Sequence, residues 1–185
     1  ADACPLPTVV VPSTPWLDQA LCSNPRWFSP PGYGLKDFAD LFTPRQLVAL
    51  VTFSNLITDA RKKALSDGAS VEYADAIALY LAFCFDKCCD YWNTISSWSQ
   101  SGEFIRNCFA RQAIPMTWDF AECNPFSGST ANWSGPIEWV AKVLEELPGG
   151  PQGFVSLRDA TTLEKQAMIS TDPPYYDNIG YADLS

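Results

Sequence analysis

Near the C-terminus the chain carries Asp172-Pro173-Pro174-Tyr175, four residues suited to chemistry on the exocyclic amino group of a nucleobase. The lone pair of adenine N6 or cytosine N4 is delocalised into the ring, so the nitrogen must be held where its hydrogens meet good acceptors. Asp172 offers one acceptor and the Pro173 carbonyl a second, which together localise the lone pair toward a methyl donor. Pro173 and Pro174 keep the turn rigid. Tyr175 supplies a face on which a base extruded from a duplex can stack. Methyl transfer from a sulfonium depends mainly on proximity and orientation, so no covalent protein nucleophile is needed. Tyr176-Asp177-Asn178-Ile179-Gly180 follows, and Tyr176 and Asn178 are the candidate substrate-binding residues of the pocket wall. A strand-ending turn with an aromatic cover would use the same four residues.

Such a motif needs a strand in front of it, because open α/β sheets place ligands beyond the carboxyl ends of their strands. Gly153 to Leu157 and Ala167 to Ser170 are short apolar runs bounded by polar segments, and they read as two strands of an α/β unit spanning 151–185. Arg158-Asp159-Ala160 closes the first run. Asp159 there has two readings, a cofactor contact and the N-cap of a helix entering at Thr161.

Upstream the pattern is helical. Thr43-Pro44-Arg45-Gln46 joins an N-cap hydroxyl, a proline at the first helical position and a capping-box glutamine, which predicts a helix from Pro44 to about Leu65, ended by Asp67-Gly68. Val71, Ala74, Ala78, Leu81, Phe85, Cys88, Trp92 and Ile95 recur in steps of three and four and predict a second helix over 71–98, paired with the first as an antiparallel hairpin. Shorter helices are expected at 103–112 and 136–147. Residues 1–40 hold seven prolines between Pro5 and Pro31 and read as a proline-rich extended arm, with a strand at 8–11. The organisation expected is therefore an arm over 1–40, a helical region over 41–150, and a partial α/β unit over 151–185.

The 185 residues are 47% hydrophobic and 14% aromatic, enough to bury a core. A net charge of −9 repels a polyphosphate, so nucleic-acid contact must come from a local basic patch or from other parts of the protein. Arg45, Arg106 and Arg111 are candidates for phosphate, against the more common fate of pairing with surface carboxylates. Seven cysteines without a Cys-x-x-Cys pair read as reduced thiols in a cytoplasmic protein. Cys84, Cys88 and Cys89 lie on or beside one helix face. With no histidine in the chain they read as core packing, and no metal is assigned. The longest strongly apolar run, 76–85, is too short to cross a bilayer, and no membrane partner is expected.

The run Ser170-Thr171-Asp172-Pro173-Pro174-Tyr175-Tyr176-Asp177-Asn178-Ile179 closely resembles a segment of the adenine-specific DNA methylase family, large prokaryotic proteins with this tetrapeptide and a domain of unknown function. Asp40-Leu41-Phe42-Thr43-Pro44-Arg45-Gln46-Leu47, Arg106-Asn107 with Phe109-Ala110-Arg111-Gln112, and Trp118-Asp119-Phe120-Ala121-Glu122 with Asn124-Pro125-Phe126 resemble the same family, so the likeness runs over roughly 26–185. The resemblance implies transfer of a methyl group from S-adenosylmethionine to adenine N6 in DNA on a Rossmann-like sheet. Asp172, Pro173, Pro174 and Tyr175 then stand at the catalytic positions and Asp159 beside the cofactor. Cytosine N4 and RNA remain open as acceptors. One departure matters: these enzymes bind the cofactor with a Phe-x-Gly-x-Gly-like turn between strand and helix. Here Gly32-Tyr33-Gly34 follows two prolines, and Ser127-Gly128-Ser129 reads as a loop. The chain is thus expected to be an internal or truncated part with weak or absent cofactor binding, inactive alone, meeting DNA through the complete protein and offering incomplete sheet edges for self-association. A non-catalytic helical interaction module is the competing expectation.

Overall fold

The computed structural model describes Pro15 and residues 17–110, 113–147, 149–150, 153–157, 159–162, 168–173 and Tyr175. The fold is mixed α/β and mostly helical. Its first long element, α1 (Pro44–Ser66), begins at the expected capping box: Thr43 Oγ1 accepts from the Gln46 N–H at 3.2 Å, and Gln46 Oε1 accepts from the Thr43 N–H at 2.8 Å. Gly68, at φ +94, carries the chain out of the helix in the left-handed region that glycine adopts without strain. Ser70 then caps α2 (Val71–Cys89) by accepting from the Tyr73 N–H at 3.2 Å.

The two helices are antiparallel. Arg61, late in α1, pairs with Asp75, early in α2, while Leu50 and Phe53 of α1 pack on Cys88 and on Trp92 just beyond α2. Phe53 is the centre of this cluster, with its ring 5.2 Å from that of Trp92 and 4.6 Å from that of Trp133.

The second helix stops at Cys89, nine residues short of the expected end at 98. Trp92 and Ile95 keep the helical stride in sequence, yet both are buried in a turn that polar groups hold together. Asp90 Oδ1 accepts from the Phe109 N–H at 2.6 Å, Asn93 Oδ1 accepts from the Ile95 N–H at 3.0 Å, and the Ser96 hydroxyl donates to Asn93 Oδ1 at 2.9 Å. These bonds satisfy backbone and side-chain groups that a continuing helix would have used otherwise.

The helix expected over 103–112 is replaced by a hairpin of β1 (Trp98–Ser99) and β2 (Phe104–Ile105), followed by a single turn at Cys108–Ala110; Arg111 and Gln112 lie outside the described residues. Trp98 faces Ile105 and Ser99 faces Phe104 in antiparallel register. Glu103 sits at φ +53, a conformation that opens the hairpin loop and forbids a right-handed helix from that residue. The helix expected at 136–147 does form, as α3 (Ser134–Glu146).

The described part of the proline-rich segment, from residue 17 on, packs instead of extending. Leu21, Trp27, Phe28 and Leu41 form a second buried cluster with Ile95 and Cys108, and Phe28 bridges to Ile114. Prolines 30 and 31 start a short 3-10 helix (Pro30–Tyr33), and Pro30 is buried. The strand expected at 8–11 lies outside the described residues. Residues 153–157 and 168–170, expected as strands, carry no regular secondary structure, and Ala167 lies outside the described residues. Phe154, Val155, Leu157 and Met168 are wholly or almost wholly exposed, so they have no neighbour to shield a ladder. No helix among the described residues is long and apolar enough to cross a membrane.

Candidate functional site

Of the six residues placed at the catalytic and substrate positions, Asp172, Pro173 and Tyr175 are described, and all three are exposed in a segment without regular structure. Pro174, Tyr176 and Asn178 lie outside the described residues. Among the described residues no hydrogen bond or ion pair occupies the Asp172 carboxylate.

Asp159 takes up the capping geometry. Its Oδ1 accepts from the Thr161 N–H at 2.9 Å and from the Thr161 hydroxyl at 2.8 Å, and its carbonyl accepts from the Thr162 hydroxyl at 2.7 Å. These bonds close the single turn Ala160–Thr162. The Thr161 N–H, and then its hydroxyl, hold the Asp159 carboxyl below the ordinary carboxylate range. Among the described residues no contact joins Asp159 to Asp172.

Among the described residues, the Gly32-Tyr33-Gly34 and Ser127-Gly128-Ser129 segments lack the strand-turn-helix context of a cradle for S-adenosylmethionine. Gly32 and Gly34 belong to the 3-10 turn at Pro30–Tyr33 and its cap, Gly128 lies in a bend between Asn124 and α3, and neither follows a strand. Of the arginines considered for phosphate, the two described ones meet protein groups. Arg45 is paired with Glu122 at 2.5 Å, and Arg106 Nη2 reaches Ser99 Oγ at 3.5 Å; Arg111 lies outside the described residues.

Burial sets the chemistry of five thiols, Cys84, Cys88, Cys89, Cys108 and Cys123, each raised above its ordinary value. Burial, with smaller additions from Cys89, Cys123 and Cys84, pushes the Cys88 thiol up to about 12. Burial likewise raises Cys89 and Cys108 to about 12 and Cys123 to about 11. Among the described residues no group of three or more His, Cys, Asp or Glu side chains converges on one point.

Two concave surfaces lie elsewhere, on both sides of the α2 and α3 contact. A cavity of about 680 Å³ opens between Phe83, Lys87 and Tyr91 on one wall and the 128–132 loop, Glu138 and Trp139 on the other. A second groove, of about 390 Å³, runs between Tyr73, Ala76, Ile77, Tyr80 and Leu81 of α2 and Ile137, Val140, Ala141 and Leu144 of α3. Sequence reading assigned no role to this region. The signal was present in Ile137, Val140, Ala141 and Leu144, spaced at i, i+3, i+4 and i+7 in a segment already expected to be helical. No family model matches the chain, and neither curated proteins nor solved structures give a match.

Proposed function

We propose that this chain is the catalytic segment of an S-adenosylmethionine-dependent methyltransferase acting on the exocyclic amino group of adenine in DNA. The observation that carries the reading is the Asp172-Pro173-Pro174-Tyr175 motif, with Asp172, Pro173 and Tyr175 all open to an incoming base. Asp172 and the Pro173 carbonyl would accept the two amino hydrogens, and Tyr175 would stack on the ring. S-adenosylmethionine would supply the methyl group from a site outside the described residues. On this reading 153–157 and 168–170 become strands of a Rossmann-like sheet when neighbouring strands complete it, which accounts for apolar side chains left bare in the chain alone. The test is tritium transfer from labelled S-adenosylmethionine to DNA by the complete gene product. Asp172→Ala should lower the rate by about a hundredfold or more, the scale for losing one preorganised electrostatic contact, with cofactor binding nearly unchanged. A wild-type rate would reduce the tetrapeptide to a structural turn.

A second reading, a helical interaction module, is favoured by the exposed apolar surface beside α3. That helix has no buried residue along its 13 positions, and Trp139, Val143, Leu144 and Leu147 stand open.

A further inference from the structure

Away from the α2 and α3 contact, the first turns of α1 meet Trp92 and the 122–125 loop around a cavity of about 130 Å³. Ala49, Trp92, Cys123 and Pro125 give it apolar walls. Its polar groups are Gln46, which is 5% exposed, and the more exposed ion pair of Arg45 with Glu122.

Gln46 presents a donor that the chain itself does not use. Its Oε1 accepts from the Thr43 N–H at 2.8 Å, which fixes the sense of the amide, with oxygen toward that backbone group. Nε2 is then buried without a hydrogen-bond partner among the described residues, and no other buried side-chain nitrogen or oxygen there is left so. An unmet buried donor is destabilising, so an occupant of the cavity that accepts a hydrogen bond is favoured.

Charge and size narrow that occupant. Arg45 Nη2 and Nε both donate to the Glu122 carboxylate, so the pair adds no net charge to the cavity. An anion would meet a cation already engaged and a carboxylate beside it, and a simple cation would offer Nε2 no acceptor. A cavity of about 150 Å³ holds benzene, so one of about 130 Å³ suits about five heavy atoms. A neutral carbonyl on a small apolar frame accepts from Nε2, brings no charge, and buries its carbons against the walls.

We infer that this cavity binds a small neutral carbonyl compound, of the amide or ketone type, whose oxygen accepts from Gln46 Nε2. None of its residues belongs to the Asp172 segment, so the inference stands apart from the methyl-transfer reading.

Nuclear magnetic resonance on the isotope-labelled 185-residue chain tests it, because the side-chain amide signals of Gln46, identified by their loss in Gln46→Glu, read the contact directly. Titration with N-methylacetamide should move them saturably, with a Kd on the order of millimolar. Acetate, and the ethylmethylammonium ion that has the same skeleton without the carbonyl, should bind at least about tenfold more weakly. Ala49→Leu fills the cavity with Gln46 in place and should weaken N-methylacetamide binding by about tenfold or more. Gln46→Glu keeps an oxygen for the Thr43 N–H but exchanges the donor for an acceptor, and it should cause a similar loss, read from the backbone amides of residues 45–49. No saturable shift, or acetate bound as tightly as N-methylacetamide, would overturn the inference. Equal affinity in the wild-type chain and Ala49→Leu would place the ligand elsewhere and overturn it too. So would Overhauser contacts from the Gln46 amide to water that persist unchanged at saturating N-methylacetamide, which would give the donor to a bound water.

Discussion

The indole Nε1 of Trp92 donates to the Ala131 carbonyl at 2.8 Å, tying the end of the helical hairpin to the loop that leads into α3. Trp92 is 2% exposed and Ala131 sits at φ +69, so the bond holds a loop residue in a conformation that costs an alanine energy. The bond is one link between the α1 and α2 pair and the segment that presents the two grooves.

Trp92→Phe keeps most of the packing and leaves the Ala131 carbonyl without its donor, so it should destabilise the chain by about 1 to 3 kcal/mol. Trp92→Ala also opens a cavity and should cost about 3 to 5 kcal/mol. Ala131→Gly relieves the left-handed strain and should stabilise by about 0.5 to 1 kcal/mol. Urea denaturation of the three variants checks the order. A Trp92→Phe midpoint equal to wild type would show that the hydrogen bond contributes nothing net.

Asp90 is 5% exposed and closes two contacts, the Phe109 N–H at 2.6 Å and Lys87 Nζ at 2.9 Å. Asp90→Ala strands the Phe109 N–H and should cost about 2 to 3 kcal/mol, whereas Asp90→Asn retains a carbonyl acceptor and should cost less. Lys87 is half exposed and can turn to water, so Lys87→Ala should have a smaller effect than either. Guanidinium melts of the three variants would contradict this account if Lys87→Ala proved the most damaging.

Local chemistry made α1 legible, because its N-terminal signal is satisfied by residues three apart: Thr43 and Gln46 cap each other whatever the rest of the chain does. The end of α2 was not legible for the opposite reason. Trp92 and Ile95 are apolar at helical spacing, and what stops the helix is a set of contacts to residues far along the chain, Phe109 to Asp90 and Ala131 to Trp92. Apolar periodicity reports burial, and a buried turn matches a helix in that respect. Gly153 to Leu157 shows the converse, since a strand needs neighbours and the apolar residues there are bare. At the candidate site, the residue types of Asp172 and Tyr175 suggest the chemistry proposed for them, while the α2 and α3 groove depends on how two helices sit against each other.

The thiols give a pH dependence. An unfolded cysteine ionises near about 8.5, whereas burial holds Cys88, Cys89 and Cys108 at about 12 and Cys123 at about 11. The folded chain therefore keeps protons that the unfolded chain has released, so this contribution is fully present below the unfolded value and declines as pH rises toward 12. Stability measured by urea should fall steadily above about pH 8.5. Replacing Cys89 and Cys123 with serine should flatten the slope. A stability curve level from pH 8 to 11 in the wild-type chain would contradict the burial of these groups.

Titration of the 185-residue chain with S-adenosylmethionine should give no saturable heat at millimolar cofactor. Neither the Gly32 and Gly34 turn nor the Gly128 bend lies between a strand and a helix, where backbone N–H groups would converge on the ligand. Asp159 already spends one carboxylate oxygen on Thr161. Saturable binding would move the cofactor site into this chain, and loss of that binding in Asp159→Ala would identify its acidic contact.

Tyr175 separates the stacking role from the acceptor role in the proposed reaction. Its ring is 65% exposed, so a base can reach its face without displacing core residues, and removing the ring should leave the stability of the isolated chain unchanged. In the complete gene product Tyr175→Ala should weaken capture of the extruded base by roughly 1 to 3 kcal/mol, the range for one base on one aromatic face. Tyr175→Phe keeps that face and should be nearly silent. The effect should appear mainly in KM for DNA, whereas Asp172→Ala, acting on the amino group as it becomes nucleophilic, should appear mainly in kcat. An oligonucleotide with a mismatched target adenine is already partly unstacked and should recover part of the Tyr175→Ala loss. Steady-state kinetics on matched and mismatched DNA tests the pair of roles together: if Tyr175→Ala and Tyr175→Phe lose activity equally, the hydroxyl and not the face is what the reaction uses.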